Sequence, residues 1–466
     1  MISQTSEYKD EKAMEAERNE PARVPWFGIR HVMTILLHTY LICNFLTRST
    51  MSLAIVAMTD SNASSNPDIP TYTWNNTGVL LSAFYWSYVI LQPFSGYIFI
   101  HIGFKWVVLG VMLMNIIPFM LIPAAVFRFG STGLIVCRIV QGLFQGFCYP
   151  AIHHALGLWV PENERSLLCM IARAGNKVGY IIAMLSTGFI SASWWGWPAV
   201  FYILGTISLI WCLFWAVLAS DSPADHAIIK EVERDYIEKS LKTREKEDIR
   251  SVPFRAILTS LPFWAIAVAN AGISWNSTLT ENAIPTYLGS ALGFDISSNG
   301  AVTASPSVVQ LLINIPVALL GDYCVSRGHL SLWTWRRLAQ AVGCYVPALL
   351  LIWLGFLSQE QRVLAVVLLN LNAIGAVEIF GSLVNHVDLS PRYAGVLLSI
   401  ENTLAQVIAM FAPMLLDLAT DLTDIVMWRW IFVSLSVIAV ITGTFFILFG
   451  KAEIQWWNSK NTKDED

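Results

Sequence analysis

Charged side chains are scarce in this sequence. Asp, Glu, Lys and Arg make up 13% of its 466 residues, whereas apolar residues make up 55%. Soluble domains carry about 25% charged residues, so the composition excludes an ordinary soluble protein. The mean hydropathy of +0.56 indicates a chain built largely of membrane-spanning segments.

Cysteine pairs and nucleotide-binding motifs are also missing. The seven cysteines fall mostly inside apolar runs and show no CxxC or paired spacing, so we expect neither a metal site nor a disulfide framework. No glycine-rich loop ends in Gly-Lys-Ser/Thr, which argues against ATP as the driving force. No nucleophile stands with a base or a metal cluster. We therefore expect no enzyme, no cofactor and no nucleic-acid partner.

Long apolar runs dominate the chain instead. A helical crossing takes about 20 apolar residues, and such runs begin near residues 31, 78, 105, 133, 167 and 196, and again near 259, 300, 337, 361, 393 and 427. We predict an all-α membrane protein with about twelve transmembrane helices in two bundles. The predicted parts are a tail (1–30), a six-helix bundle (31–219), a linker (220–258), a second six-helix bundle (259–450) and a tail (451–466). Two such bundles predict a transporter with its site at the midplane between them.

The distribution of Lys and Arg predicts the orientation. Cytoplasmic loops carry the excess of these residues, and the charged stretch 221–250 lies on the same side as both termini. The first loop of the opposite side has no basic residue and contains two N-x-S/T sequons, at Asn62 and Asn75. We therefore place this loop outside and expect it to be glycosylated. The first 25 residues lack the basic-then-apolar pattern of a cleaved signal, so we expect the first span to target the membrane.

Two arginines fall inside predicted spans, Arg48 late in the first and Arg138 early in the fourth. An unpaired cation near the bilayer centre costs at least about 2.5 to 3.5 kcal/mol, so it is usually kept where it faces a polar cavity or a partner. Depth counting puts both arginines in the outer half, in position to share one anion; a structural salt bridge is the alternative. Gln141 and Gln145 follow Arg138 on the same helical face.

Six segments stand in a specific order along the chain: RSTMSLAIVAM (48–58), RIVQGLFQGFCYPAIH with WVPENERS (138–166), DSPADHAIIKEVERDYIEKSL (221–241), SLPFWAI with IPTYL in the seventh span, NHVDLSPRYAGVLLSIENT (385–403) and the ending FGKAEIQWW. Together they resemble the anion:cation symporter branch of the major facilitator superfamily, solute carrier family 17. That branch includes sialin, the vesicular glutamate transporters and the type I sodium-phosphate cotransporters. The resemblance implies a major facilitator fold in which Arg48 and Arg138 face a central cavity and meet the substrate anion.

The cytoplasmic loop motif of the superfamily is also echoed in each half. The motif runs from a glycine through an acidic residue to basic residues. The copy after the eighth span, LLGDYCVSRGHLSLWTWRR, keeps that chemistry with Asp322, Arg336 and Arg337. The copy after the second span, SGYIFIHIGFKW, has Ile100 at the acidic position.

The chain departs from its relatives at several sites. A glutamate of sialin-like and glutamate-transporting members is replaced by Gln145, and Gln141 is likewise an amide. A glutamine cannot take up and release a proton, so the carboxylate mechanism proposed for those relatives is lost at this site. Sodium-phosphate members also carry glutamine there. Ile273 and Leu81 replace two residues that mark glutamate transporters, which disfavours vesicular glutamate transport.

Four charges in other spans are unusual for the branch: Arg173 and Lys177 in the fifth span, Glu378 in the tenth and Glu401 in the eleventh. Depth counting puts all four toward the inner half. We expect them to pair across the two bundles when the inner side closes, and they are candidates for coupling or gating. A permanent buried bridge is the alternative. Glu281, late in the seventh span, should be solvated near the outer mouth.

These observations favour sodium-coupled transport of inorganic phosphate or a small organic anion. The first alternative is a proton-coupled or facilitative carboxylate carrier that uses Glu378 or Glu401. A second is a non-transporting receptor that kept the fold. We expect a monomer whose partners are the lipid bilayer, a small anionic substrate and co-transported sodium or protons. The N-terminal tail has no acidic dileucine signal, which favours the plasma membrane over lysosomes or vesicles.

The predicted orientation is testable on intact cells. Glycan should be attached at Asn62 or Asn75, because only the outer loops pass through the glycosylating compartment. A mobility shift on deglycosylation that disappears when both asparagines are changed to Gln would confirm the site. Cleavage of the 221–250 linker by protease added outside sealed cells would show that the orientation is wrong.

Overall fold

The computed structural model describes residues 25–74, 76–242, 252–418 and 423–458, and within these ranges every regular element is a helix. The helices before the linker are α1 (Ile29–Thr59), α2 (Thr77–Leu91), α3 (Ser95–Ile102), α4 (Phe104–Gln145), α5 (Cys148–Trp159), α6 (Arg165–Ala192) and α7 (Gly196–Leu218). The all-α prediction is confirmed.

The linker contains α8 (Glu231–Lys242) and leads into the second half of the molecule. The helices that follow are α9 (Phe254–Leu258), α10 (Leu261–Thr286), α11 (Ile296–Ser326), α12 (Leu332–Leu354), α13 (Arg362–Leu371), α14 (Asn385–Leu389), α15 (Ala394–Ala409) and α16 (Ile425–Phe449). Short 3-10 segments lie between some of them, including Asn372–Phe380 and Ala412–Leu418, and a π-helical turn, Tyr287–Ala291, extends α10.

These helices account for twelve crossings. Nine helices within the described ranges are long and apolar enough to span a membrane. One of the nine, Phe104–Trp159, reverses direction at Gly130, whose φ of 59° is the left-handed conformation that glycine tolerates, so it makes two crossings. The shorter apolar helix α2 and the 26-residue α10 are not among the nine, and with them the number of crossings reaches the twelve that the sequence predicts.

The hydrophobic core shows that the two halves meet on one side only. The outer cluster combines residues of both halves, such as Leu53 and Phe119 of the first with Leu279 and Tyr287 of the second. On the inner side each half has a separate cluster, one drawn from the helices before the linker and one from those after it. Burial along α11 agrees, since its buried residues lie between Ile296 and Ser307 apart from Gly321. The molecule is therefore closed at the end that the sequence predicts to be outer, and open toward the end that it predicts to be inner.

The linker helix α8 is bound to the start of α1 by one buried carboxylate. Glu233 accepts hydrogen bonds from the backbone N–H groups of Ile29 (3.0 Å) and Arg30 (3.1 Å). Its Oε1 also lies 3.0 Å from Nη1 of Arg30, and the Arg30 Nε lies 2.7 Å from Oε2 of Glu164. The carboxylate thus satisfies donors that a helix start leaves unpaired. Gly28 lies directly against it, where any side chain would collide.

Removing Arg30 should destabilise this docking more than any exposed change on α8. The side chains of Arg30 and Glu233 are 3% and 2% exposed, and breaking such a pair leaves a buried charge at a cost of about 3 to 5 kcal/mol. We expect Arg30→Met to lower the free energy of unfolding of the purified protein by that order. Glu231→Gln, on an exposed position of α8, is the control. Equal unfolding midpoints for the two variants would contradict the assignment.

Candidate functional site

The two predicted arginines meet over one aromatic ring at the interface between the halves. The guanidinium carbon of Arg138 lies 4.6 Å from the ring centre of Phe84, and that of Arg48 lies 5.4 Å from the same ring. Tyr85 is also close, with its ring centre 4.9 Å from the Arg48 guanidinium carbon. Arg138 is 1% exposed, and its Nη1 donates to the backbone carbonyl of Arg48 at 3.4 Å. The two arginines therefore lie together, and their shared contact with an anion stays a prediction.

Two glycines on α4 bring the aromatic residues to the arginines. A Cβ on Gly142 would collide with the backbone carbonyl of Phe84, and one on Gly146 would collide with that of Tyr88. Glycine at both positions therefore lets α2 pack directly against the returning arm of α4, as small residues do between membrane helices. This contact places the Phe84 ring beneath Arg138.

Gln141 and Gln145 lie inside the first half rather than at the interface. They are 0% and 2% exposed. Gln145 donates to the backbone carbonyl of Asn44 at 2.9 Å, and Gln141 donates to Oδ1 of Asn115 at 3.4 Å. Asn115 in turn donates to the hydroxyl of Thr47 at 3.0 Å. In this inner-open state the two glutamines join α1 to both arms of α4, so direct contact with an anion remains a prediction.

The closed outer side includes two polar contacts between the halves. Tyr85, which faces Arg48, accepts a hydrogen bond on its hydroxyl from Asn282 of α10 at 3.1 Å. Asp417 accepts hydrogen bonds from the backbone N–H groups of Gly78 (2.6 Å) and Val79 (2.8 Å) at the start of α2. A side chain on Gly78 would collide with this carboxylate and with the Pro413 carbonyl. We call these contacts, made by Tyr85, Asn282, Gly78, Val79 and Asp417, the outer gate.

Close glycine crossings surround the outer gate. Gly188 of α6 and Gly300 of α11 face each other, and a Cβ on Gly300 would lie 3.1 Å from the Cα of Gly188 and 2.5 Å from the Met184 carbonyl oxygen. Gly289, in the turn after α10, lies against Val56 of α1. These approaches bring the helices into close contact at the outer end.

The four coupling candidates do not pair across the halves in this state. Arg173 is exposed and Lys177 half-buried on α6. Glu378 accepts a long hydrogen bond from Gln340 at 3.4 Å, a partner from its own half. The expected cross-bundle pair requires a closed inner side, so its formation remains a prediction, whereas a permanent bridge is absent among the described residues.

Glu401 has a partner that the sequence did not suggest. Its Oε1 lies 3.2 Å from Nδ1 of His386 on α14. Both groups belong to the second half, and Glu401 is 0% exposed on α15. His386 in turn interacts electrostatically with His153 of α5, which also interacts with Arg173. Among the described residues, Glu401 therefore pairs with a histidine of its own half rather than with a cation of the first half.

The three residues of the cytoplasmic loop motif in the second half have three different environments. Asp322 is exposed, and Arg336 pairs with Asp388 of α14, with 2.7 Å between Nε and Oδ2. Arg337 lies over the ring of Trp333 at 5.9 Å. In the other half the start of α4 is capped by Asp221, which accepts from the Lys105 backbone N–H at 2.7 Å.

The remaining predicted residues lie near the outer side. Asn62 is exposed in the loop after α1, and Ser64 of that loop donates to the carbonyl of Ser193 in the loop after α6. Asn75 lies outside the described residues. Glu281 is half-buried rather than solvated and interacts electrostatically with Arg48 across the interface. The outer gate is closed in this state, so solvation of Glu281 at an open outer mouth stays a prediction.

The fold and site define the class of protein. Residues 39–413 match the model of the Major Facilitator Superfamily, and the chain belongs to this superfamily of membrane transporters. It is a transport protein and not an enzyme.

Relatives then define the branch. Sialin of Ovis aries is 31% identical over 95% of this chain and 93% of its own length. Sodium-dependent phosphate transport protein 1 of Mus musculus is 29% identical over 94% of this chain and 97% of its own. The chain is thus a member of solute carrier family 17, as the resemblance implied.

A solved structure supports the fold alone. A bacterial homologue of the human lysosomal transporter Spinster, in an inward-facing and unoccupied conformation, matches with a TM-score of 0.68 at 15% identity. The match covers 90% of this chain and 96% of that one.

Sequence reasoning missed the residues whose partners are distant in the chain. Phe84 and Tyr85 stand in the run LLSAFYWSYVIL, where aromatic residues are typical of any membrane helix. Asp417 was the clearer signal, because it is a lone carboxylate within the apolar run FAPMLLDLA. Its role depends on the start of α2, which is 338 residues away along the chain.

Loss of the Asp417 carboxylate should loosen the outer gate. Hydrogen bonds to a charged group contribute about 1.5 to 3 kcal/mol each, and 1.4 kcal/mol is a tenfold change in an equilibrium. We expect Asp417→Ala to increase outside labelling of a Thr278→Cys reporter, one turn from Asn282, by about tenfold or more.

Labelling is measured with a membrane-impermeant maleimide on intact cells, and the parent without Thr278→Cys gives the background from native cysteines. Asp424→Ala is the matched control, because Asp424 caps its own helix α16 in the same half. Identical labelling rates for the Asp417 and Asp424 variants would show that Asp417 does not hold the gate.

Proposed function

We propose that this protein is a secondary active transporter that moves a small anion, inorganic phosphate or an organic anion, by alternating access. The observation that carries the proposal is the pair of guanidinium groups over one Phe84 ring at the interface between the halves. The two cations repel each other. An anion between them relieves this repulsion and supplies acceptors for the Nε atoms, which are buried without a hydrogen-bond partner in the described part of the chain.

The same arrangement suggests how anion binding reaches the gate. The Tyr85 ring faces Arg48, while its hydroxyl accepts from Asn282 of the other half. An anion that draws the Arg48 side chain toward itself changes the contact between Arg48 and the Tyr85 ring. The hydrogen bond between Asn282 and the Tyr85 hydroxyl, which belongs to the outer gate, then changes as well. A ligand that binds the two gate states with different affinities shifts the equilibrium between them by that difference.

We propose sodium as the coupling ion and the plasma membrane as the location. Gln141 and Gln145 are hydrogen-bonded amides that cannot take up or release a proton, and sodium-phosphate members of the branch share glutamine at the second position. One observation favours the alternative of proton-coupled carboxylate transport, namely the buried pair of Glu401 and His386.

Uptake of labelled phosphate and carboxylates into proteoliposomes separates these possibilities. Inward gradients of sodium, of protons and of charge are imposed one at a time. Accumulation that needs sodium supports the first proposal, and accumulation under a proton gradient alone overturns it in favour of the second. A non-transporting receptor would bind the anion but show no counterflow.

The anion site is tested by removing each guanidinium. Charge-assisted bonds of about 1.5 to 3 kcal/mol predict that Arg48→Gln and Arg138→Gln each lower uptake by tenfold or more. Lysine at either position should rescue only partly, because a point charge does not reproduce the planar fork.

Arg429→Gln is the matched control for this experiment. Arg429 stacks on Phe356 with 4.2 Å to the ring centre, so it has the same chemistry away from the proposed site. Normal uptake by both the Arg48 and the Arg138 variants, at equal surface expression, would overturn the assignment.

A further inference from the structure

We propose that His386 and Glu401 form a proton-binding site in the second half, which protons reach from the inner opening through His386. Its use in transport rests on the proposed function, whereas the binding of the proton does not. The sequence identified Glu401 without a partner. The structure adds the partner residue, His386, and the route by which protons reach the pair.

The geometry isolates Glu401 from other charges. The carboxyl group is 0% exposed on α15, and its Oε1 lies 3.2 Å from the His386 Nδ1. Neither carboxylate oxygen has an aligned hydrogen bond within the described residues, so the contact with His386 is one of charge and proximity. An ionised carboxylate in this position is expensive unless a proton or a cation compensates it. One proton shared by the pair keeps it neutral.

Among the described residues, the elements packed against α15 supply no other compensating charge. Helices α10, α14 and α2 pack against α15. The acid of α10 is Glu281, which interacts with Arg48 near the outer gate. The acid of α14 is Asp388, which is committed to Arg336. Helix α2 has no charged residue, and its titratable groups are Tyr85 and Tyr88, whose rings lie near Arg48.

Access to the pair is one-sided. The His386 side chain is 11% exposed, whereas that of Glu401 is 0% exposed. Because the inner side is open, water reaches the imidazole, and a small rotation of the ring aligns the 3.2 Å contact for transfer of a proton to the carboxylate. His386 is thus the relay, and Glu401 is the group that retains the proton.

The first half contributes one further titratable neighbour of the pair. His153 of α5 interacts electrostatically with His386, and Arg173 and Arg165 interact with His153.

Infrared spectroscopy of the reconstituted full-length protein tests the site without any substrate. A protonated carboxyl group has a C=O stretch that is absent from the carboxylate, so its intensity across a pH series follows the titration. We expect a titrating band that Glu401→Gln removes and that His386→Gln shifts in midpoint by about one pH unit or more, as strongly interacting groups require. Glu360→Gln is the matched control, an exposed carboxylate of the same half, and it should retain the band.

The outcomes separate this inference from the proposed function. A band that persists in Glu401→Gln, or that titrates identically without His386, overturns the proton site even if the protein accumulates anions. A band that behaves as expected supports the site even if no anion is transported. If Glu401→Gln does not fold, the titration midpoint of His386→Gln is compared with that of the wild-type protein. Equal midpoints overturn the proton site.

Discussion

Arg48 and Arg138 carry two positive charges into the interface between the halves, where each charge raises the energy of the other. Such groups persist in a membrane protein only where something offsets the cost. Here the offsets are partial: the face of Phe84, the ring of Tyr85 and the distant charge of Glu281. A site that is incompletely compensated by its own residues is one in which an anion gains binding free energy.

The packing around the arginines follows from this requirement. Gly142 and Gly146 bring α2 against α4 so that an aromatic face lies under the guanidinium groups, and the Tyr85 hydroxyl extends from that face to Asn282 in the other half. The outer gate and the anion site therefore share a residue. Separate inner cores allow each half to move as a body, while the glycine crossings between the outer ends seal that side without long side chains.

Much of the fold was predictable because a membrane helix is recognised from the composition of its own segment. Length, hydropathy and the distribution of Lys and Arg predicted the helices and the linker, and the cost of a buried cation identified Arg48 and Arg138. Gln141 and Gln145 show the limit of this reasoning. Helical periodicity placed them on the face of Arg138, but periodicity does not reveal which neighbour covers a face, and they are hydrogen-bonded to Asn115 and Asn44.

The sequence by itself determined the class of protein, the number of crossings and the presence of two costly cations, since each depends on composition within one segment. The tertiary structure alone decided which charges meet. Asp417 caps a helix of the other half, Asp388 rather than Asp322 takes Arg336, and His386 rather than a first-half cation faces Glu401. Those pairings depend on how helices far apart in the chain are packed and on which side of the molecule is open, and no local pattern encodes either.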